Sequence, residues 1–278
     1  MTIEINHIPA MPNLALEVLR FNPNAQDASS ARLDSIIRPD KGMASNIMRI
    51  ANSAYYGQSG RVKTLKDAIT LLGLKATKNL VLLIAGSEMF GRLKNDAFRL
   101  YIHERSILSA LVALDLCRPL GTASLRDEAF LAGLLHNTGM SIIALNAPGA
   151  YELLLTMIQE RGGDLIEQEE KVIGTNHKVV GLQAFDQWQM PPEQRAVLEH
   201  YDCAPTVAGS MDPLIRICSL AVVVVKRLQK QAADEIDLER EKRILASFHR
   251  DVAATAAFDE SYYTLIQDHP FYSQAMNI

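Results

Sequence analysis

Apolar side chains recur along this chain three and four residues apart, the spacing that collects them on one face of an α-helix. Leu14, Val18 and Leu19 mark a first helix, opened by Met11-Pro12 and ended by Asn22-Pro23-Asn24. Leu33, Ile36 and Ile37 mark a second from about Ser30, stopped at Pro39-Asp40-Lys41-Gly42. Ile47, Ile50 and Ala51 mark a third over residues 43–54. Thr64-Leu65-Lys66-Asp67 resembles a capping box, because the threonine oxygen can accept an orphan N–H and the acid suits the positive helix end. Leu65, Ala68, Ile69 and Leu72 form the stripe that follows, with Gly73 as its C-terminal cap. Residues 75–90 are apolar nearly all round at their centre, which predicts a helix buried between others.

Residues 91–96 are polar and read as a link between two lobes. Beyond them the pattern predicts helices over 97–118, 125–137, 149–161, 164–172, 176–188, 192–201, 213–231, 238–250 and 259–268. Residues 204–212, rich in Pro, Gly, Ser and Thr, are the clearest loop. Repeated period-2 alternation with Asn-Gly or Asp-Gly hairpin turns is missing, so the expected fold class is all-α. The acidic and basic residues of 234–243 read as a solvated helix face.

Composition narrows the function. The 278 residues are 48% hydrophobic and 22% charged, enough for one large core or two small ones. A net charge of -4 argues against nucleic acid as a partner, since phosphate contacts need a concentrated positive surface. Cys117, Cys203 and Cys218 are dispersed without CxxC spacing and read as reduced residues of a cytoplasmic protein. The first twelve residues lack a basic segment followed by an apolar core, so no signal peptide is expected. The most apolar runs, 80–86 and 217–225, are too short to cross a bilayer, so no membrane association is expected.

Four of the seven histidines fall on or beside apolar helix faces. His103 shares a face with Ile107, Ala110 and Leu114, and His136 with Ala129, Ala132 and Gly133. His177 follows a plausible cap at Thr175 and precedes Gly181 by about one turn, and His200 ends the helix opened by Pro192. Neutral imidazole is a good ligand for zinc, iron or nickel, yet a histidine on an apolar face is more often a hydrogen-bonded structural residue. Spacing leaves both readings open. His7, His249 and His269 have polar or terminal surroundings and read as surface residues.

Several segments carry a family resemblance. Met48-Arg49-Ile50-Ala51-Asn52-Ser53-Ala54-Tyr55-Tyr56-Gly57 resembles the signature of the HDOD family, regulatory relatives of HD phosphohydrolases. Leu65 to Leu74 and Asn79-Leu80 continue the likeness. Ala129 to His136 resembles the helix that bears the His-Asp doublet of HD enzymes, and Gly174-Thr175-Asn176-His177 with Val180-Gly181 the next histidine helix. Trp188 with Met190-Pro191 resembles the family's Trp-x-x-Pro turn.

The resemblance implies an HDOD-like domain over 9–228, built as two closely packed helical lobes. These are an N-terminal lobe at about 9–95 and an HD-like lobe at about 96–228, with a C-terminal helical extension, 229–278, packed on them. It places His103, His136, His177 and His200 at histidine positions of the HD pattern. Asn137 stands where the doublet aspartate belongs, and Val222 where a later aspartate is expected. An amide cannot neutralise or bridge divalent cations, and valine ligates nothing. No catalytic residue is therefore assigned and no cofactor is expected. The histidines are either hydrogen-bonded relics or ligands of a single divalent ion such as zinc, iron, nickel or manganese. Asp202 or Asp212 would be the loop acids able to replace the missing carboxylate.

Arg49, Asn52, Ser53, Tyr55 and Tyr56 form a second candidate site. Asn52 and Ser53 are read as a cap that fixes the turn into the next helix. The alternative is a partner or ligand contact, with Arg49 and Arg61 attracting an anion or nucleotide. The resemblance thus implies a signal-transduction module acting through signalling proteins. No receiver, cyclase or phosphodiesterase segment accompanies it, so action in trans, or as a partner in a complex, is expected. The competing class is a metal-dependent phosphohydrolase acting on a nucleotide or other phosphate ester. A third is a sensor whose old cleft binds metal or nucleotide.

Overall fold

A computed structural model describes residues 5, 7–57, 60–91, 93, 95–231 and 235–276. Every regular element among them is helical. The chain divides into two compact units, Ala10–Met89 with Asp268–Ile278, and Met1–Pro9 with Phe90–Gln267.

The smaller unit holds α1 (Asn13–Arg20), α2 (Ser30–Ile37), α3 (Lys41–Ala51), α4 (Leu65–Leu72) and α5 (Leu74–Phe90). Each start has a chemical cause. Ser29 caps α2 by accepting from Arg32 N, and Asp40 caps α3 by accepting from Met43 N. The box at α4 forms as expected, with Thr64 Oγ1 accepting from Asp67 N at 3.1 Å. The third helix ends three residues earlier than the apolar pattern suggests. Ala54–Tyr56 instead make a single 3-10 turn closed by Gly57, whose φ of 62° excludes most side chains. Leu80 to Ala85 are all buried at the centre of α5, as its all-round apolar character requires.

The larger unit contains α6 (Arg105–Leu116), α7 (Arg126–Leu135), α8 (Thr138–Asn146), α9 (Pro148–Arg161), α10 (Leu165–Val172), α11 (His177–Trp188) and α12 (Pro192–His200). It continues with α13 (Pro213–Leu228), α14 (Glu235–Ser247) and α15 (Glu260–Gln267). A last helix, α16 (Pro270–Met276), belongs to the smaller unit. Two helix crossings are close enough to exclude side chains. A Cβ at Gly133 of α7 would stand 2.4 Å from Ser109 O of α6. A Cβ at Gly139 of α8 would stand 1.7 Å from His177 O of α11. These glycines set the spacing of the helices that carry His136 and His177.

Three expectations are corrected. Residues 138–146, left without an element by the sequence pattern, form α8. Thr138 to Ala144 are all buried, so no polar face interrupts the apolar one to reveal a helical period. The predicted helix 97–118 is not uniform, since a π-helical turn over Arg99–Glu104 precedes α6. The charged run 234–243 is not a wholly solvated face. Asp234 lies outside the described residues, but Asp237, Arg240 and Glu241 are buried. Asp237 pairs with Lys226 at 2.7 Å and with Arg240 at 2.8 Å, and Glu241 with Arg227 at 3.2 Å. Pairing is what lets these charges leave water.

By length and composition, residues 123–146 would reach across a bilayer, and the bent pair 65–72 and 74–90 passes the same test together. In the fold, 78% of the most apolar window of 123–146 is buried inside the protein, the arrangement of a core helix.

Candidate functional site

The π-helical turn is where the site begins. His103 lies within it, and the His103 ring meets Leu93 O through Nε2 at 2.9 Å. Burial, the larger influence, lowers the His103 pKa. The carbonyls of Tyr101 and Ile102 in the same turn accept from Asn137 Nδ2, both at 3.2 Å. Asn137 Oδ1 lies 2.6 Å from the Ser106 hydroxyl, which also reaches Ile102 O. Every polar atom of this buried amide is therefore in use, at the junction of α7 and α8.

His136, one residue earlier, directs Nδ1 to Gly133 O at 2.7 Å, and its ring stands edge-on to Tyr201, 5.1 Å between centroids. His177 opens α11. Its backbone N–H and its Nδ1 both meet Glu169 Oε2, at 2.9 and 2.6 Å, while Nε2 lies 3.1 Å from the Tyr201 hydroxyl. Tyr151 donates to the other Glu169 oxygen. Glu169 is wholly enclosed and sits at the N-terminal end of α11, in contact with the Tyr151 hydroxyl, the His177 N–H and the His177 ring. The two ring nitrogens of His177 thus face Glu169 and Tyr201 from opposite sides. Burial, followed by neighbouring acids, pushes the phenols of Tyr151 and Tyr201 well above their ordinary pKa, so both stay protonated.

His136 titrates in an accessible window. Burial lowers its pKa from 6.5 to about 4, so the fold holds it neutral. A depressed histidine contributes stability that is complete above the unfolded pKa and is lost as pH falls toward the folded one. Between pH 7 and pH 5 the loss should be about 2 kcal/mol. Urea unfolding of the parent and of His136→Gln at both pH values tests this. The parent should lose more than the variant, and equal losses would refute the assignment.

These donors do not fit a resident metal ion. Among the described residues, no group of three or more His, Cys, Asp or Glu is placed to hold one. Both ring nitrogens of His177 face protein partners. The alternative acids are also committed, Asp202 to Lys178 and Asp212 to the N-terminus of α13 through Leu214 N.

The HDOD domain family matches residues 8–203. The chain belongs to the HDOD family. An HDOD domain protein of unknown function from Geobacter sulfurreducens shares the fold with a TM-score of 0.75, at 17% identity, over 97% of this chain and 93% of that one. A protein of Marinobacter aquaeolei VT8, provisionally assigned to signal transduction, has a TM-score of 0.75 at 21% identity, over 97% of this chain and 60% of that one. A Shewanella amazonensis SB2B protein, provisionally assigned as a phosphohydrolase, has 0.69 at 20% identity, over 98% and 95%. At such identities the likeness concerns the fold alone. An uncharacterized protein of Treponema pallidum (strain Nichols) is 24% identical over 247 residues, 88% of this chain. The chain spans 47% of the length of that relative.

Within this HDOD chain, His136 and His177 converge on Tyr201, while His103 turns to Leu93 and His200 lies half-buried in the last turn of α12. Val222 is buried in α13. Glu169, Tyr151, Tyr201, Arg105 and Ser106 were not legible as site residues. Glu169 did leave a signal, since Leu165, Glu169 and Ile173 recur at four-residue spacing, which puts a carboxylate in an apolar stripe.

The second candidate set lies in the smaller unit. Asn52 Nδ2 donates to Met48 O at 3.1 Å and to Val62 O at 3.0 Å, and Oδ1 accepts from Val62 N at 3.1 Å. One amide thus closes the loop between α3 and α4. Arg49 donates to Asn46 and to Gln274 of α16. The rings of Tyr55 and Tyr56 are 5.1 Å apart, and Tyr55 packs edge-on against His269 at 5.0 Å. Burial, aided by Tyr55, pushes the Tyr56 phenol up to about 12. Among the described residues, Ser53 Oγ is enclosed without a partner. His269, expected at the surface, is half-buried; burial lowers its pKa to about 4, and its Nδ1 accepts from Phe271 N.

Proposed function

We propose that this HDOD chain is a non-catalytic regulatory module of bacterial signal transduction that acts through protein partners in the cytoplasm. Its HD-like site is read as degenerate. The observation that carries this reading is Asn137, whose amide is consumed by Tyr101, Ile102 and Ser106 at the position where an HD enzyme needs a metal-binding carboxylate. The engagement of both His177 nitrogens supports it, as does the burial of apolar Val222. What remains is a helical scaffold in which Asn137 and His177 are committed to protein partners, suited to presenting a surface rather than activating water. Three unpaired cysteines agree with a reducing compartment.

The test is the metal content of the purified, untagged protein, paired with hydrolysis of a generic phosphodiester in added manganese. Substoichiometric metal and no turnover are expected. Stoichiometric metal, with turnover that disappears in His136→Ala, would replace this reading with a metal-dependent phosphohydrolase acting on a nucleotide or another phosphate ester.

A further inference from the structure

The chain leaves the larger unit at Gln267, and residues 268–276 belong to the smaller one. They carry α16, which at seven residues is too short to hold helical form in water by itself. Packing holds it instead, since Pro270, Phe271, Tyr272, Gln274 and Ala275 are all buried. Its partners come from the second candidate set. Gln274 Oε1 accepts from Arg49 Nη2 of α3. The His269 ring stands edge-on to Tyr55 and to Phe271, with centroids 5.0 and 5.1 Å apart. The family match ends at residue 203, so α16 lies outside it, yet it is seated beside residues 48–57, which carry the HDOD resemblance.

The occupant matches this seat only in part. Arg49 is a charged, exposed residue, yet its hydrogen-bond acceptors among the described residues, Gln274 Oε1 and Asn46 Oδ1, are both neutral amides. A carboxylate in the place of Gln274 would make the stronger, charge-assisted bond. Tyr55 stays 59% exposed with His269 against its ring, so aromatic surface remains for a larger partner. We propose that this seat is the protein-docking surface of the smaller unit and that α16 is its resident occupant. The partner it fits presents a short helix with aromatic side chains for the seat and a carboxylate for Arg49. Nucleic acid or an anionic membrane would also bring negative charge, but a single arginine on a chain of net charge -4 gives neither a footing. Only Asp268 and His269 separate α15 from α16, which keeps α16 at a high effective concentration. A partner must therefore bind better than α16, and the carboxylate supplies the difference. The inference rests on the reading of the module as one that acts through partners, and it names their chemistry.

The probes are end-blocked synthetic peptides of residues 268–276, one native and one carrying Gln274→Glu, titrated into the full chain in EDTA. A full-chain double variant, Phe271→Ser with Tyr272→Ser, loosens the resident helix and should bind both peptides, the acidic one about threefold tighter or more. Adding Arg49→Met to that variant should make the two affinities equal. The parent should bind the acidic peptide about tenfold more weakly than the loosened variant does, because α16 competes. In the parent, hydrogen exchange over 270–276 should be faster than at the centre of α5, as release of a terminal helix requires. The proposal is overturned if the folded double variant binds neither peptide, if the acidic peptide is no tighter, or if its advantage survives Arg49→Met. Parental affinity equal to that of the loosened variant, or exchange over 270–276 as slow as in α5, overturns it as well. If circular dichroism shows that the double variant does not fold, Gln274→Ala takes its place. None of these readouts involves metal or turnover, so their failure is distinct from failure of the non-catalytic reading.

Discussion

Gly139→Ala should lose more than about 3 kcal/mol of stability, the upper end of overpacking costs. The added methyl would lie 1.7 Å from His177 O, 2.7 Å from His177 C and 2.8 Å from Gly181 N. All three are backbone atoms, so no side chain can rotate away. Relief requires α8 and α11 to separate, and α11 carries the His177 ring toward Tyr201. Gly149→Ala is the control. A Cβ there meets nothing within 4 Å, and alanine in helix α9 should be neutral or stabilise by about 0.5–1 kcal/mol. Urea denaturation followed by circular dichroism compares the two. A Gly139→Ala protein within 1 kcal/mol of the parent, roughly a third of the expected cost, would mean the helices do not cross as closely as described.

Asn137→Asp, which restores the His-Asp doublet in sequence, should destabilise the fold by about 2–4 kcal/mol at pH 7 and should not create a metal site. Asn137 is 2% exposed and gives its two N–H groups to the carbonyls of Tyr101 and Ile102. A carboxylate only accepts, so both carbonyls would lose a donor and face a buried negative charge. Its pKa should therefore rise above the unfolded value of about 3.9. The penalty is then present above the raised folded pKa and shrinks as pH falls through it, because the protonated acid can again donate. Unfolding titrations at pH 7 and pH 5, with manganese and with EDTA, measure both claims. Parental stability together with stoichiometric manganese binding would refute the structural role of the amide.

The two predictions show why the histidine pattern was an incomplete guide. His136 and His177 were legible because each sits on an apolar helix face beside a glycine. What each ring touches depends on residues far off in the chain, Tyr201 for both and Glu169 eight residues before His177. His103 looked equivalent by spacing, but it lies in a π-helical turn and its ring meets Leu93, and nothing in a three-and-four periodicity records such a turn. Arg105 read as an ordinary cation near the start of a long helix. Only the closing of α13 and the residues after it brings Gln229 and Gln231 to it.

By itself the sequence determined the helical class, most helix positions and caps, and the HDOD resemblance, since these depend on side-chain periodicity and local hydrogen bonds. The resemblance also marked Asn137 as unable to neutralise or bridge divalent cations as a carboxylate does, and Val222 as unable to ligate one. The tertiary structure decided which histidines meet and that Asn137 is an active donor within the core. It also decided that Asp237 and Glu241 are buried ion-pair partners and that Arg105 is buried with its guanidinium bonded to Gln229 and Gln231. These outcomes depend on contacts between distant segments, where burial changes what a charge costs and an amide or hydroxyl acquires its partners.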